Sequence, residues 1–253
     1  MIRRGLGKAC AVLLGCCLLA SGCTGSAEPG GTLTVLAASS LTESFGALEK
    51  RFEADHPGVD VRISYDGSAT LAQQVNNGVP ADVFAAADER NMAKVVRADS
   101  VAGRPKVFAT NRLSIVVGRG NPKRIRGLPD LGRGDLTVVV CSPEVPCGGT
   151  TGRVTRAAGV RLHPASEEQN VKSVLNKVKT GEADAGLVYV TDVRAGGDAV
   201  TGLDVRESTS AVNRYPIAEL ADAPEPRLAK QFIALVSGSA GRRELTKAGF
   251  GAP

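Results

Sequence analysis

The sequence predicts an α/β protein of two lobes, each a mixed or parallel sheet flanked by helices, with a ligand cleft between the lobes. Three observations predict it. Short apolar runs alternate with segments of helical apolar spacing, the pattern of strands covered on both faces by helices. That pattern runs once from Leu33 and begins again at Leu113. The chain from Cys23 onward has about 230 residues, more than one ordinary α/β domain and suited to two lobes of roughly 100 each.

Each element has its own signal. Leu33 to Ala38 is a short apolar run, hence a buried strand. From Leu41 the spacing changes to Leu41, Phe45, Leu48 and Phe52, one face of a helix that stops before Pro57. Val59 to Tyr65 alternates as a strand, and a short helix from about Leu71 ends at Asn77-Gly78. Asp82 to Ala87 is the next strand, and Asp88 caps a helix carrying Met92, Val95 and Val96. In the second half, Leu113 to Val117 and Asp135 to Val140 read as strands, and a helix starts near Gly149. Val171, Val174, Leu175 and Val178 mark an amphipathic helix closed by Thr180-Gly181, followed by a strand from Ala185 to Val190. Near Arg214 to Leu220 the chain returns, and Arg227 to Val236 plus a last helical segment pack back on the first lobe. The expected crossings lie near 110 and 210.

The first residues read as an address. Arg3, Arg4 and Lys8 precede an apolar run from Ala9 to Ala20 that is too short to span a bilayer comfortably. Leu19-Ala20-Ser21-Gly22-Cys23 resembles a bacterial lipobox, with Ala20 where leucine is usual; Cys16 and Cys17 would leave too short an apolar run. The expected division is therefore 1–22 signal peptide, 23–31 lipidated N-terminus and flexible linker, 32–109 first lobe (completed by about 215–253) and 110–214 second lobe. Lipidation at Cys23 implies export and anchoring at the outer face of the cell membrane. Of six cysteines, Cys10, Cys16 and Cys17 leave with the signal and Cys23 takes the lipid, so Cys141 and Cys147 remain as an even pair in an oxidising compartment. Arg3, Arg4 and Lys8 account for three of the formal +5, leaving about +2, with basic and acidic residues interspersed. That is not a nucleic-acid footprint. Aromatics at 4% and the absence of tryptophan argue against a sugar site, which commonly stacks its ligand on aromatic faces.

The chemistry resides in Ser/Thr/Gly-rich turns between strands and helices: Ala37-Ala38-Ser39-Ser40-Leu41, Gly67-Ser68-Ala69-Thr70-Leu71 and Pro146-Cys147-Gly148-Gly149-Thr150. At such turns the first helical N–H groups have no intrahelical partner and the helix dipole favours negative charge. Hydrogen bonds to an ionised acceptor are about twice as strong as neutral ones, so neutral donors alone can hold a dianion. They would also reject a protonated one, whose O–H finds no acceptor. A purely structural role competes: Ser40-Leu41-Thr42-Glu43 and Thr70-Leu71-Ala72-Gln73 have the form of capping boxes.

Several segments together carry a family resemblance: Thr34-Val35-Leu36-Ala37-Ala38-Ser39-Ser40-Leu41-Thr42, Gly67-Ser68-Ala69-Thr70-Leu71, Pro80-Ala81-Asp82-Val83-Phe84-Ala85-Ala86-Ala87-Asp88, Pro143-Glu144-Val145-Pro146-Cys147-Gly148, Gly186-Leu187-Val188-Tyr189 and Arg214-Tyr215-Pro216. In this order and spacing the chain resembles bacterial molybdate-binding proteins of ABC importers, with the two-lobed type II periplasmic-binding-protein fold. The resemblance implies molybdate, and tungstate with it, as ligand, no cofactor, no direct metal-cation ligands, an importer permease and its ATPase as partners, contact with the membrane only through the lipid anchor, and a monomer. By resemblance Ser40 and Ser68 donate hydroxyl and backbone N–H from the first lobe, with Ser39 as a further candidate. Tyr189 donates its hydroxyl from the second lobe. Cys147, or Gly148 beside it, and Val171 donate backbone N–H. Within that frame, a Cys141–Cys147 disulfide would hold the second-lobe turn; the alternative is two buried thiols.

Other functions fit less well. His56 and His163 stand in no nucleophile, metal or general-base motif, so a hydrolase on this fold is a distant alternative and no catalytic residue is assigned. Tyr65, Tyr189 and Tyr215 stand apart, unlike the paired tyrosines of iron-binding relatives. Sulfate, or another tetrahedral oxyanion, is the serious alternative, because it needs the same donors.

Overall fold

The computed structural model describes residues 30–253; the predicted signal peptide and Cys23 lie outside them. The chain opens with β1 (Thr32–Ala38), a 3-10 turn (Ser39–Leu41) and α1 (Thr42–Asp55), then β2 (Asp60–Asp66), α2 (Ser68–Asn76), β3 (Val83–Ala85) and α3 (Glu89–Arg97). β4 (Lys106–Asn111) is followed after one residue by β5 (Leu113–Gly118). Next come β6 (Val138–Cys141), α4 (Pro146–Ala158), β7 (Ser166–Glu168), α5 (Val171–Lys179), β8 (Ala185–Tyr189), α6 (Val190–Gly196) and β9 (Val200–Asp204). β10 (Asn213–Glu219), α7 (Pro226–Ser237) and α8 (Ser239–Ala248) follow.

The strands form two five-stranded mixed sheets, β2-β1-β3-β10-β4 and β7-β6-β8-β5-β9. Each is built alike. Three parallel strands come first, then one antiparallel strand from the segment that has just crossed between sheets, then an edge strand. The chain passes from the first sheet to the second at Arg112 and returns between β9 and β10. The β10–β4 register shifts between Tyr215 and Pro216, where proline has no N–H for the ladder.

Alternation along β1 sandwiches the first sheet. Leu33, Val35 and Ala37 pack with Phe45, Leu48 and Phe52 of α1 and Phe232 of α7, while Leu36 faces Leu71 of α2 and Met92 and Val95 of α3. The second sheet buries Ile115, Val139, Leu187 and Val188 with Val154 of α4 and Val174 of α5. The second core is mostly aliphatic, whereas the first also buries a cluster of Phe45, Phe52, Phe108 and Phe232 rings.

Several boundaries differ from expectation. α2 begins at Ser68 rather than near Leu71, and α4 begins at Pro146 rather than near Gly149. Proline fits the first helical position because its missing N–H has no partner there anyway. The strand expected from Asp135 begins at Val138, and that expected to reach Val190 stops at Tyr189, where α6 starts.

Candidate functional site

The carboxyl ends of β1, β2, β6 and β8 face one another across the gap between the sheets, the usual place for a ligand in open α/β sheets. Ser39, Ser40, Ser68, Cys147, Val171 and Tyr189 line one cavity there, with about 190 Å³ of free space including its mouth. So little space suits a small ion rather than a larger organic ligand. Gly148, the neighbour of Cys147, is buried but does not line it. A larger groove of about 710 Å³ between α1, α6 and α8 is lined by Glu43, Arg194, Glu244 and Lys247, but gathers none of the strand-to-helix turns.

Helix starts supply the cavity's polarity. The residues before the 3-10 turn, α2 and α4 are Ala38, Gly67 and Val145, and none makes a side-chain capping bond. In α2 the first intrahelical acceptor bond is Leu71 N–H to the Gly67 carbonyl, so Ser68, Ala69 and Thr70 have no intrahelical acceptor. In α4 the corresponding bond is Gly149 N–H to Val145, which leaves Cys147 and Gly148. Asn170 caps α5 by accepting from Ser173 N–H (3.0 Å), leaving the N–H groups of Val171 and Lys172. Uncapped starts aimed at one space make a positive pole without a cation. Among the described residues that line the cavity, none is lysine, arginine or histidine.

Neither expected capping box forms. Ser40 lies in the 3-10 turn, with its hydroxyl 2.9 Å from the Tyr215 hydroxyl rather than on a helix N–H. Thr70 is inside α2, two residues past its start. The Ser68 hydroxyl accepts from Ala87 N–H (2.9 Å), and the Tyr189 hydroxyl accepts from Asn213 Nδ2 (3.0 Å). These hydroxyls are almost fully buried. Burial, reinforced by Tyr215, Asp88 and Asp192, pushes the Tyr189 phenol well above its usual range. It therefore stays a neutral donor.

On the second lobe, Cys141 and Cys147 are disulfide-bonded with Cα atoms 5.7 Å apart. The bond spans the turn that leads into α4, where Val145 N–H also bonds the Ser142 carbonyl (3.0 Å). With its sulfur committed, Cys147 offers the cavity only its backbone. A side chain at Gly148 would overlap the Ser142 and Cys141 carbonyls, which accounts for glycine there.

Polar contacts draw the lobes together around the cavity. Lys172 Nζ of α5 meets Glu43 Oε1 of α1 at 2.7 Å and Asp192 Oδ1 of α6 at 3.4 Å. Asp192 is fully buried and accepts from Tyr189 N–H (3.1 Å). Burial pushes its carboxyl up to about 6, although Lys172 and the Tyr189 N–H pull the other way. Arg90 donates to the carbonyls of Pro143 (2.9 Å) and Glu144 (2.7 Å), and Asn170 to Asp66 Oδ1 (3.1 Å). Sequence reasoning missed Asp66, an acidic residue in the lining. Its Oδ1 also takes Gly67 N–H (2.7 Å), withdrawing that donor from the cavity. Asn111 and Asn213, which hold the hydroxyls from behind, carried no motif, and Thr150, which bonds Asn213, was named only as part of the turn at Cys147.

The fold and the site together define a two-lobed solute-binding protein. Residues 33–251 match the family described as bacterial extracellular solute-binding protein, and the chain belongs to that family. A molybdate-binding protein of Mycobacterium tuberculosis is 47% identical over 234 residues, covering 92% of this chain and 90% of its own. Among solved structures, the periplasmic molybdate-binding protein of Azotobacter vinelandii superposes with a TM-score of 0.74 at 20% identity, covering 87% of this chain and 99% of that one. The sulfate-binding protein SubI of M. tuberculosis gives 0.77 at 21% identity, covering 87% and 86%. These two likenesses establish the fold alone. The matched relatives are solute-binding proteins, not enzymes. Among the described residues no helix is long and apolar enough to cross a membrane.

Proposed function

We propose that this protein captures molybdate between its lobes and delivers it to an ABC importer. The observation that carries the reading is the donor set: three hydroxyls, the uncapped starts of α2 and α4 and the start of α5 converge on a cavity of about 190 Å³ with no cationic side chain. Such a set suits a small, fully ionised oxyanion, since each bond to a charged acceptor contributes about 1.5–3 kcal/mol. The 47% identical relatives named for molybdate support the choice of ion. Tungstate, of the same charge and nearly the same size, binds alike in this reading, and sulfate stands second.

Ser40 and Ser68, with Ser39 beside them, hold the ion first on the open first lobe. Closure then adds the Tyr189 hydroxyl and the N–H groups of Cys147 and Val171, giving a shape that the permease and its ATPase recognise. The protein acts as a monomer without a cofactor, held to the outer face of the membrane by a lipid on Cys23. Calorimetry of the mature protein tests the ligand: comparable tight binding of molybdate and tungstate is expected, whereas tight sulfate binding with no molybdate signal would make it a sulfate receptor. Fatty-acid labelling that is lost in Cys23→Ala tests the anchor; equal labelling of both would remove it.

A further inference from the structure

A hydroxyl can donate or accept, and what fixes its direction lies behind it. Ser68 accepts from Ala87 N–H, a group that only donates, so its own proton is left for the cavity. Tyr189 accepts from Asn213 Nδ2 (3.0 Å). That amide cannot turn over, because the same Nδ2 donates to the Ala87 carbonyl (2.9 Å), which only accepts. On its other side Asn213 Oδ1 takes the Thr150 hydroxyl, and Thr150 accepts from Arg153 Nη2 (2.8 Å), which has no acceptor to offer. Asn111 does the same for Ser40. Its Oδ1 accepts from Arg112 N–H (3.0 Å), so Nδ2 points to Thr191 Oγ1 (2.9 Å) and the Tyr215 hydroxyl (3.4 Å). Tyr215, accepting from Asn111, has its own proton available for Ser40, 2.9 Å away, and in that arrangement Ser40 keeps its proton for the cavity.

We propose that Asn213 and Asn111 are specificity-determining positioning residues. Each locks a cavity hydroxyl with its proton toward the ligand, so that the site offers donors and excludes an oxyanion that still carries a proton. This rests on the reading of the cavity as an oxyanion site. Molybdate and sulfate are fully deprotonated at neutral pH, whereas hydrogen phosphate brings an O–H that needs an acceptor. Backbone N–H groups cannot supply one. A hydroxyl could, if it were free to turn, and the two asparagines prevent the turn. Asp66 is directed through Oδ1 to Gly67 N–H and Asn170.

Calorimetric affinities for molybdate and hydrogen phosphate at about pH 8, in wild type, Asn213→Ala and Asn111→Ala, test the proposal. The wild type should favour molybdate by far more than tenfold. Each variant should weaken molybdate at least about tenfold, the loss of one directed bond to a charged group, while hydrogen phosphate holds or gains, so the ratio narrows. A merely structural role would weaken both ions together and leave the ratio unchanged, which would overturn the proposal. So would a wild type that binds hydrogen phosphate about as tightly as molybdate, with Asp66 as acceptor. Asn111, the cross-strand partner of Asn213, acts on a different hydroxyl, that of Ser40 through Tyr215, and Asn111→Ala carries the same ratio should Asn213→Ala fail to fold. If the wild type binds sulfate and not molybdate, the ligand assignment fails, and the same ratio taken with sulfate still tests the asparagines.

Discussion

Gly67 packs so closely on the carbonyl oxygen of Gln169 that a Cβ at position 67 would overlap it. One residue ends the first-lobe turn before α2, and the other precedes α5 in the second lobe, so the contact exists only when the lobes meet. Gly67→Ala should therefore leave each lobe folded while opposing closure, at about 1–3 kcal/mol for an overpacked contact. Calorimetry should find molybdate weakened by roughly tenfold or more, with a smaller fall in the melting temperature of the ligand-free protein. Unchanged affinity would mean that the ion is held without this approach.

Removing single donors should act by comparable amounts. Ser68→Ala and Tyr189→Phe each delete a hydroxyl proton aimed at the cavity, at a cost of about 1.5–3 kcal/mol, or roughly ten- to a hundred-fold in affinity. Ser68→Ala also strands the buried Ala87 N–H and should lose some stability, as a denaturant titration would show. Wild-type affinity in both variants would remove these residues from the site.

Asp192 should leave a signature in the pH dependence of unfolding. Its folded carboxyl sits at about 6 against an ordinary 3.8, chiefly through burial. The folded chain thus keeps the proton to higher pH than the unfolded chain. The stability contributed by this group is full below about pH 3.8 and is lost as the pH rises through about 6, a change of about 3 kcal/mol. In Asp192→Asn that term is absent, so the variant's stability relative to wild type should climb between pH 4 and 7. Urea titrations across that range showing a constant difference would contradict it.

The Cys141–Cys147 bond closes a short loop and should contribute about 2–3 kcal/mol at most. Its larger effect is expected on binding, because it holds the start of α4. Mass analysis after alkylation should find both cysteines blocked without reductant, and reduction should weaken molybdate binding while the lobes stay folded. Two free thiols in the oxidised protein would be the contrary result.

Much of the fold was legible where one local signal dominates. Leu33, Val35 and Ala37 with Leu36 between them mark β1, and Asp88 and Asn170 cap the helices that follow them. Other elements carry weak signals: β7 is the polar tripeptide Ser166–Glu168, and β9 contains Gly202. α6 starts directly after β8, with no turn residue between them, so Ala185 to Val190 reads as one strand. In the site, the turns at Ser40, Ser68 and Cys147 announce helix starts, but Tyr189 was marked only by resemblance. Asn111 and Asn213 were silent, because their partners Tyr215 and Ala87 lie 104 and 126 residues away. Such pairings arise only when β10 returns to the first sheet and inserts between β3 and β4.

The most direct test of the account is to locate the ion. A crystal of the mature protein with molybdate, measured for molybdenum anomalous scattering, should give a peak inside the cavity, within reach of the hydroxyls of Ser40, Ser68 and Tyr189 and the N–H groups of Cys147 and Val171. A peak elsewhere on the protein, with those hydroxyls still bonded only to Tyr215, Ala87 and Asn213, would contradict it.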